Sequence, residues 1–219
     1  MTEGSVLLSG RNAHTGGTVI EQGVLRLQGD DVLTRSGSVT LVDGTLDLGG
    51  ARTGSGAFML VNGALAQGTL EAQSFELRQG RVDALLAGTG AVVKNTEGVV
   101  TVNGQINVSG GLSLNAGTLA LGASDRIGDT VDLRLKTGAT LDLGGYSDRV
   151  GRLQLYGGVA TGGQLEASVY ELMSGTLGIR LIGAAVVEKV SDGSASGGVV
   201  VLTTQNNYTG GTTVRGGTL

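Results

Sequence analysis

The sequence predicts an all-β protein, a parallel β-solenoid of roughly 11 short coils. Three observations favour this fold: short apolar strands end at glycines, the pattern repeats along the chain, and the apolar residues are almost all aliphatic. Of the 219 residues, 42 are glycine and none is proline or tryptophan, while aromatic residues make up only 3%. A core of small aliphatic side chains suits similar layers that stack on one another.

The strands are recognised by the alternation of apolar and polar residues in short runs. Each run ends at Gly, Asn or Asp, and no segment keeps apolar residues at helical spacing over the length of an ordinary helix. We therefore expect the chain to be nearly all strand and turn. The clearest runs are residues 24–27, 38–41, 75–77, 99–102, 112–114, 131–135, 153–155 and 199–202.

A Gly-Thr-Leu or Gly-Val-Leu triplet marks the coils, and consecutive copies lie about 19 to 24 residues apart, which is the length of a coil with two or three short strands. Glycine allows a positive φ at the corner between strands. An antiparallel sandwich or barrel is the rival fold, but such folds usually contain more aromatic residues and hairpin turns. The triplets begin at Gly23, Gly44, Gly68, Gly117, Gly175 and Gly217.

The chain also repeats at about half its length. The run Thr-Leu-Asp-Leu-Gly-Gly at residues 45–50 returns at residues 140–145, which is 95 residues later. Two copies in register predict one stacked array rather than a closed globule. We therefore expect residues 1–219 to form a single β-solenoid segment. Its expected units are about 10–104, about 105–204, and the start of a third at 205–219.

Composition and charge exclude several classes of function. The net charge is −4 and no basic run occurs, so neither nucleic acid nor an anionic membrane is an expected partner. No apolar run is long enough to span a membrane, so we expect no membrane insertion. The absence of cysteine removes redox and cysteine–metal chemistry. Both ends look cut, which predicts a piece of a longer protein and leaves open whether Met1 is native.

Residues 206–214 read Asn-Asn-Tyr-Thr-Gly-Gly-Thr-Thr-Val, and Gly-Thr-Leu follows at residues 217–219. This segment resembles the passenger-associated transport repeat of bacterial autotransporters, whose pattern is N-x-Y-T-G-G-T-T-V, a short gap and G-T-L. Residues 10–27 form a second, weaker copy, and residues 106–121 a degenerate third. The glycine-rich, alternating pattern of the remaining chain is also similar to the interior of such passengers.

The resemblance implies a right-handed parallel β-helix that is secreted through an outer-membrane barrel to the Gram-negative cell surface or the extracellular space. It implies a structural or adhesive segment of a passenger fibre. The alternatives are a self-assembling fibre subunit without a host ligand, and a polysaccharide-acting β-helix enzyme. The expected partners are neighbouring repeats of the same parent protein, a second copy of the chain, or surface and host ligands.

Few residues are candidates for catalysis. His14 is the sole histidine, and aligning the three Thr/Ser-Gly-Gly landmarks places His14, Val108 and Tyr208 in one structural slot, which indicates a packing position at a turn. One histidine and no cysteine exclude Ser-His-Asp and Cys-His machinery and disfavour a zinc site. The Ser/Gly-rich residues 191–197 are interpreted as a flexible bulge between coils, because no general base is available for a serine nucleophile.

Several carboxylates recur in both copies of the repeat. Equivalent residues would lie about 24 Å apart over five coils at the strand spacing, so they cannot share one pocket. We expect them to be solvated surface groups. The recurring pairs are Asp47 with Asp142, Glu71 with Glu166, and Glu76 with Glu171.

The leucines around the two recurring aspartates are expected to face the core, namely Leu46, Leu48, Leu141 and Leu143. Strict alternation then directs Asp47 and Asp142 outward. The calcium-binding nonapeptide of other solenoids is absent, and residues 88–90 are too short for a phosphate loop. The sequence therefore predicts no catalytic, cofactor-binding or metal-binding residue, no cofactor, and no enzymatic activity.

Overall fold

The computed structural model describes residues 4–219, which form a β-solenoid of about ten turns. Its 21 strands pair in parallel, and the described residues contain no helix. The predicted all-β parallel β-helix is confirmed. The strands are β1 (Ser5–Ser9), β2 (Thr18–Ile20), β3 (Val24–Gln28), β4 (Val39–Leu41), β5 (Thr45–Asp47), β6 (Arg52–Leu60), β7 (Ala64–Ala66), β8 (Thr69–Leu77), β9 (Gly80–Val82), β10 (Leu85–Gly88), β11 (Ala91–Lys94), β12 (Val99–Val102), β13 (Gln105–Val108), β14 (Leu112–Leu114), β15 (Gly117–Leu121), β16 (Asp132–Lys136), β17 (Ala139–Asp142), β18 (Ser147–Ile182), β19 (Val187–Lys189), β20 (Val200–Leu202) and β21 (Thr212–Val214).

The turns build three faces. The first face contains β1, β3, β5, β7, β9, β12, β15, β17 and β20, and the second contains β2, β4, β11, β14, β16, β19 and β21. β6 and β8 bend around a corner, so that their first halves pair with the third face and their second halves with the second face. β10 and β13 continue the third face. The 36-residue β18 passes through more than one face.

Turn length varies along the solenoid. On the first face, Leu65 pairs with Val82 after 17 residues, whereas Leu177 pairs with Leu202 after 25. The longer turn contains residues 191–197, which lie between β19 and β20. A turn therefore absorbs an insertion at a corner without losing the register of the ladder.

The interior is a set of aliphatic columns, because inward positions of successive turns stack directly. Leu25 pairs with Leu46 and Leu46 with Leu65, and each column continues in this way. Removing one leucine side chain from water contributes about 2 kcal/mol. The four leucines predicted to face the core are completely buried, which confirms their orientation: Leu46, Leu48, Leu141 and Leu143.

Glycines allow the corners of adjacent turns to approach closely. Gly44, Gly63 and Gly80 stack at one corner of the first face, and Gly63 has a φ of +95°. A Cβ on Gly63 would overlap the carbonyl oxygen of Gly44, and one on Gly80 would overlap the carbonyl oxygen of Gly63. This corner therefore requires glycine both for its backbone angle and for its spacing.

One prediction about solvent exposure needs correction. Asp47 points away from the core, but it is not solvated, since its side chain is only 7% exposed. Arg26 of the preceding turn covers it, with Nη2 2.7 Å from Oδ2, and the amide of Gly49 donates to Oδ1. The equivalent Asp142 pairs in the ladder with Ala120, which has no side chain long enough to cover it, and Asp142 remains half-exposed.

Candidate functional site

His14 occupies a turn position, as its alignment with Tyr208 predicts. His14 Nε2 lies 3.0 Å from Thr18 Oγ1, and Tyr208 Oη lies 2.6 Å from Thr212 Oγ1, so both make the same contact four residues ahead. Val108, the third member of the alignment, is a buried core residue instead. The shared contact closes the turn before a strand and brings no second titratable group to His14.

The Ser/Gly-rich loop at residues 191–197 is organised by its own polar groups. Asp192 Oδ1 accepts hydrogen bonds from the amide and hydroxyl of Ser194, and these bonds lower the pKa of Asp192. Lys189 Nζ holds the end of the loop through the carbonyl of Gly197 at 2.9 Å. Ser194 Oγ also lies 3.1 Å from the hydroxyl of Ser196, a contact that offers no general base.

The recurring glutamates all form ion pairs with arginines, most of them between turns. Glu71 accepts hydrogen bonds from Arg52 and Arg35, and these two guanidinium groups hold the pKa of Glu71 below its usual value. The side chain of Glu71 is only 15% exposed, so it is less solvated than we expected. The other three glutamates also face arginines, in the pairs Glu76–Arg78, Glu166–Arg149 and Glu171–Arg152.

These carboxylates do not converge on one pocket. Within residues 4–219, no group of three or more His, Cys, Asp or Glu side chains is arranged to hold a metal ion. Glu71 lies beside two arginines that hold its pKa below the usual value, so it stays ionised at neutral pH, and each of the other three glutamates is paired with an arginine. The arrangement therefore stabilises the stacking of turns and supplies a patterned charged surface.

Two completely buried lysines, Lys94 and Lys189, interrupt an aliphatic column of the second face. They are 95 residues apart, and each ends a strand. Alternation along β11 and β19 was the available sequence signal, since it places both lysines inward. The ammonium groups donate to backbone carbonyls at 2.6–3.0 Å, namely those of Arg78 and Thr96 for Lys94, and of Val190, Gly197 and Gly216 for Lys189.

Burial lowers the pKa of Lys94, because desolvation disfavours the charged ammonium. The carbonyls of Arg78 and Thr96 oppose this effect, because they accept hydrogen bonds from the ammonium group of Lys94. Lys94 makes two such hydrogen bonds and Lys189 three, and both side chains are completely buried, so they connect corners of the solenoid rather than act as nucleophiles.

Asp148 is the most perturbed carboxylate. Its side chain is buried and accepts hydrogen bonds from the amides of Arg126, Ile127 and Arg149. Desolvation nevertheless raises the pKa of Asp148 to about 6. The carboxylate of Asp148 gives these three amides the hydrogen bonds that strand pairing would otherwise supply. Its role is therefore to stabilise this corner of the ladder.

A cleft on the second face combines an aromatic side chain with two cations. We call it the Tyr156 cleft; it has a volume of 540 Å³ and is lined by Asn115, Arg134, Lys136, Thr137 and Tyr156. A β-bulge forms it, because both Tyr156 and Gly157 lie opposite Lys136. Bulges re-aim side chains and widen the local surface of a sheet.

The hydrogen bonds around the Tyr156 cleft fix its shape. Gln154 Oε1 accepts from Arg134 Nε at 2.7 Å, and Gln154 Nε2 donates to Tyr156 Oη at 3.2 Å. The hydroxyl of Thr137 donates to the carbonyl of Tyr156. Within residues 4–219, neither Arg134 nor Lys136 has a carboxylate within 4.0 Å, so both keep unneutralised charge beside the ring.

Alternation along residues 131–135 places Arg134 outward, but no sequence pattern indicates the cleft. Tyr156 lies one turn later, and its position beside Lys136 depends on the bulge. A cavity of 1130 Å³ lies at the N-terminal end of the described residues. Its walls include Val6, Leu8 and Ile20, which belong to the inward side of the first turn. It is therefore the end of the apolar interior.

Comparison with known proteins agrees with this architecture. The passenger-associated-transport-repeat family matches residues 3–27 and 195–219. An adhesin, the BmaC autotransporter of Brucella suis biovar 1 (strain 1330), is 32% identical over 123 residues. The match covers 54% of this chain and 3% of that adhesin, so the chain spans only a small part of its relative. No solved structure matches the chain.

No helix within residues 4–219 has the length and apolar character needed to cross a membrane. The two matched repeats lie at the first and last turns of the described solenoid, and each includes a Gly-Gly turn followed by a strand. The family match and the adhesin confirm the resemblance that the sequence predicted: the chain is a β-solenoid whose first and last turns are similar to the passenger-associated transport repeat, and part of it is similar to an autotransporter adhesin.

Proposed function

We propose that this chain is a structural and adhesive segment of a surface-displayed passenger fibre in a Gram-negative bacterium. The observation that carries the proposal is the ladder of about ten turns, whose outer surface carries ion pairs between turns, such as Glu71 with Arg35 and Glu171 with Arg152. Backbone hydrogen bonds between parallel strands run along the solenoid axis, so the segment can act as a spacer within the fibre without an additional scaffold.

The outer faces supply the adhesive part of the function. Charged and polar side chains repeat at the spacing of the turns, so that several weak contacts can form on one surface at once. The relative is itself named as an adhesin, which supports the same role here. The surface partners are then host or environmental molecules, with neighbouring repeats of the parent protein stacked at the ends. A non-enzymatic role agrees with the family and with the relative's name.

Adhesion of coated beads tests this function. Beads carrying the 219-residue chain are expected to attach to cultured epithelial cells more than beads carrying albumin. Leu141→Asp places a charge in the core and is expected to abolish both folding and attachment, since an unpaired buried charge costs several kcal/mol. Asp142→Asn changes the adjacent half-exposed residue and should retain attachment.

The same beads separate adhesion from self-assembly. Attachment to cells while the beads remain dispersed supports the adhesive segment. Clustering of beads without attachment to cells supports a self-assembling fibre subunit instead. Attachment that survives Leu141→Asp would show that the folded ladder is not the adhesive element, and would overturn the proposal.

A further inference from the structure

We propose that the Tyr156 cleft binds an acidic saccharide, a sugar that carries a carboxylate or sulfate group. This inference rests on the proposed adhesive function and names the ligand class of one contact surface. Three features of the cleft lead to it: an accessible aromatic ring, two cations without carboxylate partners, and neutral polar groups beside them.

The aromatic ring is placed where a sugar can reach it. Tyr156 is half-buried, and its hydroxyl accepts a hydrogen bond from Gln154 Nε2, which also donates to Glu171, so these contacts orient the ring. Phe58, Phe75 and Tyr170 are completely buried in the core, and the accessible Tyr146 and Tyr208 do not line the cleft. An amphipathic aromatic side chain with a fixed orientation offers contact area at low entropic cost.

The two cations select an acidic ligand. Arg134 and Lys136 lie two residues apart on the outer side of β16, and both are exposed. Only Nε of Arg134 is engaged, by Gln154, which leaves the two terminal nitrogens free to bind a carboxylate or sulfate in a bidentate manner. Asp132 on the same strand is exposed, but it forms no ion pair with Arg134 among the described residues.

The neutral groups favour a saccharide over an acidic peptide. Asn115, Lys136 and Tyr156 lie on three successive turns, and Thr137 adjoins them at the corner. Amide and hydroxyl groups satisfy ring hydroxyls, while the bulge supplies a widened surface of 540 Å³ for the ring itself. A peptide carboxylate would use the cations but would leave the ring and the hydroxyl-binding groups unused.

Calorimetric titration of the whole chain tests the site with defined probes. A heparin-derived tetrasaccharide and a tetragalacturonate present sulfate and carboxylate groups, maltotetraose is the neutral saccharide, and hexaglutamate is the acidic peptide. We expect both acidic saccharides to bind, and maltotetraose and hexaglutamate to bind about tenfold more weakly or not at all. Binding of only one of the two acidic saccharides would show whether the cleft prefers sulfate or carboxylate, and would still support the site.

Variants locate the binding. Arg134→Gln combined with Lys136→Gln should weaken the acidic saccharides about tenfold, and Tyr156→Leu should weaken them by a similar factor. Arg81→Gln combined with Arg215→Gln removes two exposed arginines elsewhere and should leave affinity unchanged. Equal loss in both double variants would indicate non-specific charge attraction and would overturn the proposal, as would hexaglutamate binding as tightly as the saccharides.

The bead assay and the titration can fail separately. Beads that attach to cells while no acidic saccharide binds would overturn this site and leave the adhesive function intact. Saccharide binding at the Tyr156 cleft without attachment of beads would support the site and overturn the adhesive function. Circular dichroism of each variant verifies the fold, which should be preserved because Arg134 and Lys136 are exposed and Tyr156 is only half-buried.

Discussion

At the scale of single residues, the environment of an outward side chain depends on which side chain of the adjacent turn lies beside it. Asp47 is covered by Arg26 and accepts a hydrogen bond from Gly49, whereas Asp142 has only the equivalent bond from Gly144. Ion pairs with one exposed partner contribute little, because water screens the charge and the long side chain loses freedom. Arg26 is 60% exposed, which places the Asp47 pair in this modest class.

This difference predicts unequal effects of the same substitution in the two copies. Asp47→Asn removes an ion pair and should lower the free energy of unfolding by about 1 kcal/mol. Asp142→Asn should change it by less than about 0.5 kcal/mol, since Asn can still accept the Gly144 amide. Urea titration monitored by circular dichroism measures both values. Equal losses would show that Arg26 does not stabilise Asp47.

The buried carboxylate of Asp148 predicts a pH dependence. Its pKa is raised to about 6 in the folded chain, so folding takes up a proton between about pH 4 and pH 6. The contribution of Asp148 to stability is therefore greatest at low pH and is lost as pH rises through its folded pKa. The loss should be on the order of 2 kcal/mol.

Asp148→Asn should flatten this part of the stability profile, because Asn does not titrate and its single amide oxygen can still accept the hydrogen bonds from Arg126 and Ile127. Asp129→Asn, at an exposed position nearby, should leave the profile unchanged. Melting temperatures of the three proteins between about pH 4 and pH 7 provide the measurement. If the wild type and Asp148→Asn profiles remained parallel, Asp148 would not be the titrating group.

At the scale of the strand and its corner, glycine stacking determines how closely turns approach. Gly63→Ala and Gly50→Ala both place alanine at a positive φ, so both variants carry similar backbone strain. Only at Gly63 would the new methyl group also overlap the backbone of the preceding turn, whereas Gly50 faces open space. Gly63→Ala should therefore be more destabilising than Gly50→Ala by about 1–3 kcal/mol. Urea unfolding measures the difference, and equal effects would rule out a spacing role for Gly63.

At this scale, the local sequence predicts the strands and corners but not the side chains that lie beside them on adjacent turns. Alternation and corner glycines predict the strands, the inward leucines and the stacked fold, because these depend on residues close in sequence. The identical runs at residues 45–50 and 140–145 nevertheless place their aspartates in different environments. The cause is the neighbour one turn earlier, Arg26 in one copy and Ala120 in the other. Local patterns do not specify that neighbour until the ladder register is known.

The Tyr156 cleft was missed for the same physical reason. Arg134 and Lys136 are recognisable as outward residues of an alternating run, but a bulge decides which residue of the next turn lies beside them. Lys94 and Lys189 could have been predicted as inward residues from alternation alone. Their low hydrophobicity argued against burial, and the carbonyls that satisfy them come from corners of other turns.

At the scale of the whole molecule, each turn contacts chiefly the turns before and after it. Stability is then approximately a sum of terms for single turns and for neighbouring pairs, as in other solenoids. A complete turn can therefore be removed without breaking the remaining contacts, provided that the register is restored. Residues 64–80 are such a turn, because Ala64 and Leu65 pair with Arg81 and Val82.

Deletion of residues 64–80 joins Gly63 to Arg81 and places Val82 above Leu46, in the position that Leu65 held. The product should fold with one turn fewer and a cooperative melt, although it loses the ion pairs that Glu71 makes with Arg35 and Arg52. Deletion of residues 64–72 removes a shorter segment, but it shifts every later residue by half a turn. Inward leucines would then meet corners and outward charges would meet the core, which is destabilising throughout the C-terminal part. Circular dichroism and thermal melting should show a folded protein for the longer deletion and a largely unfolded one for the shorter. The reverse order of stability would mean that turns are not interchangeable stacking units in this solenoid.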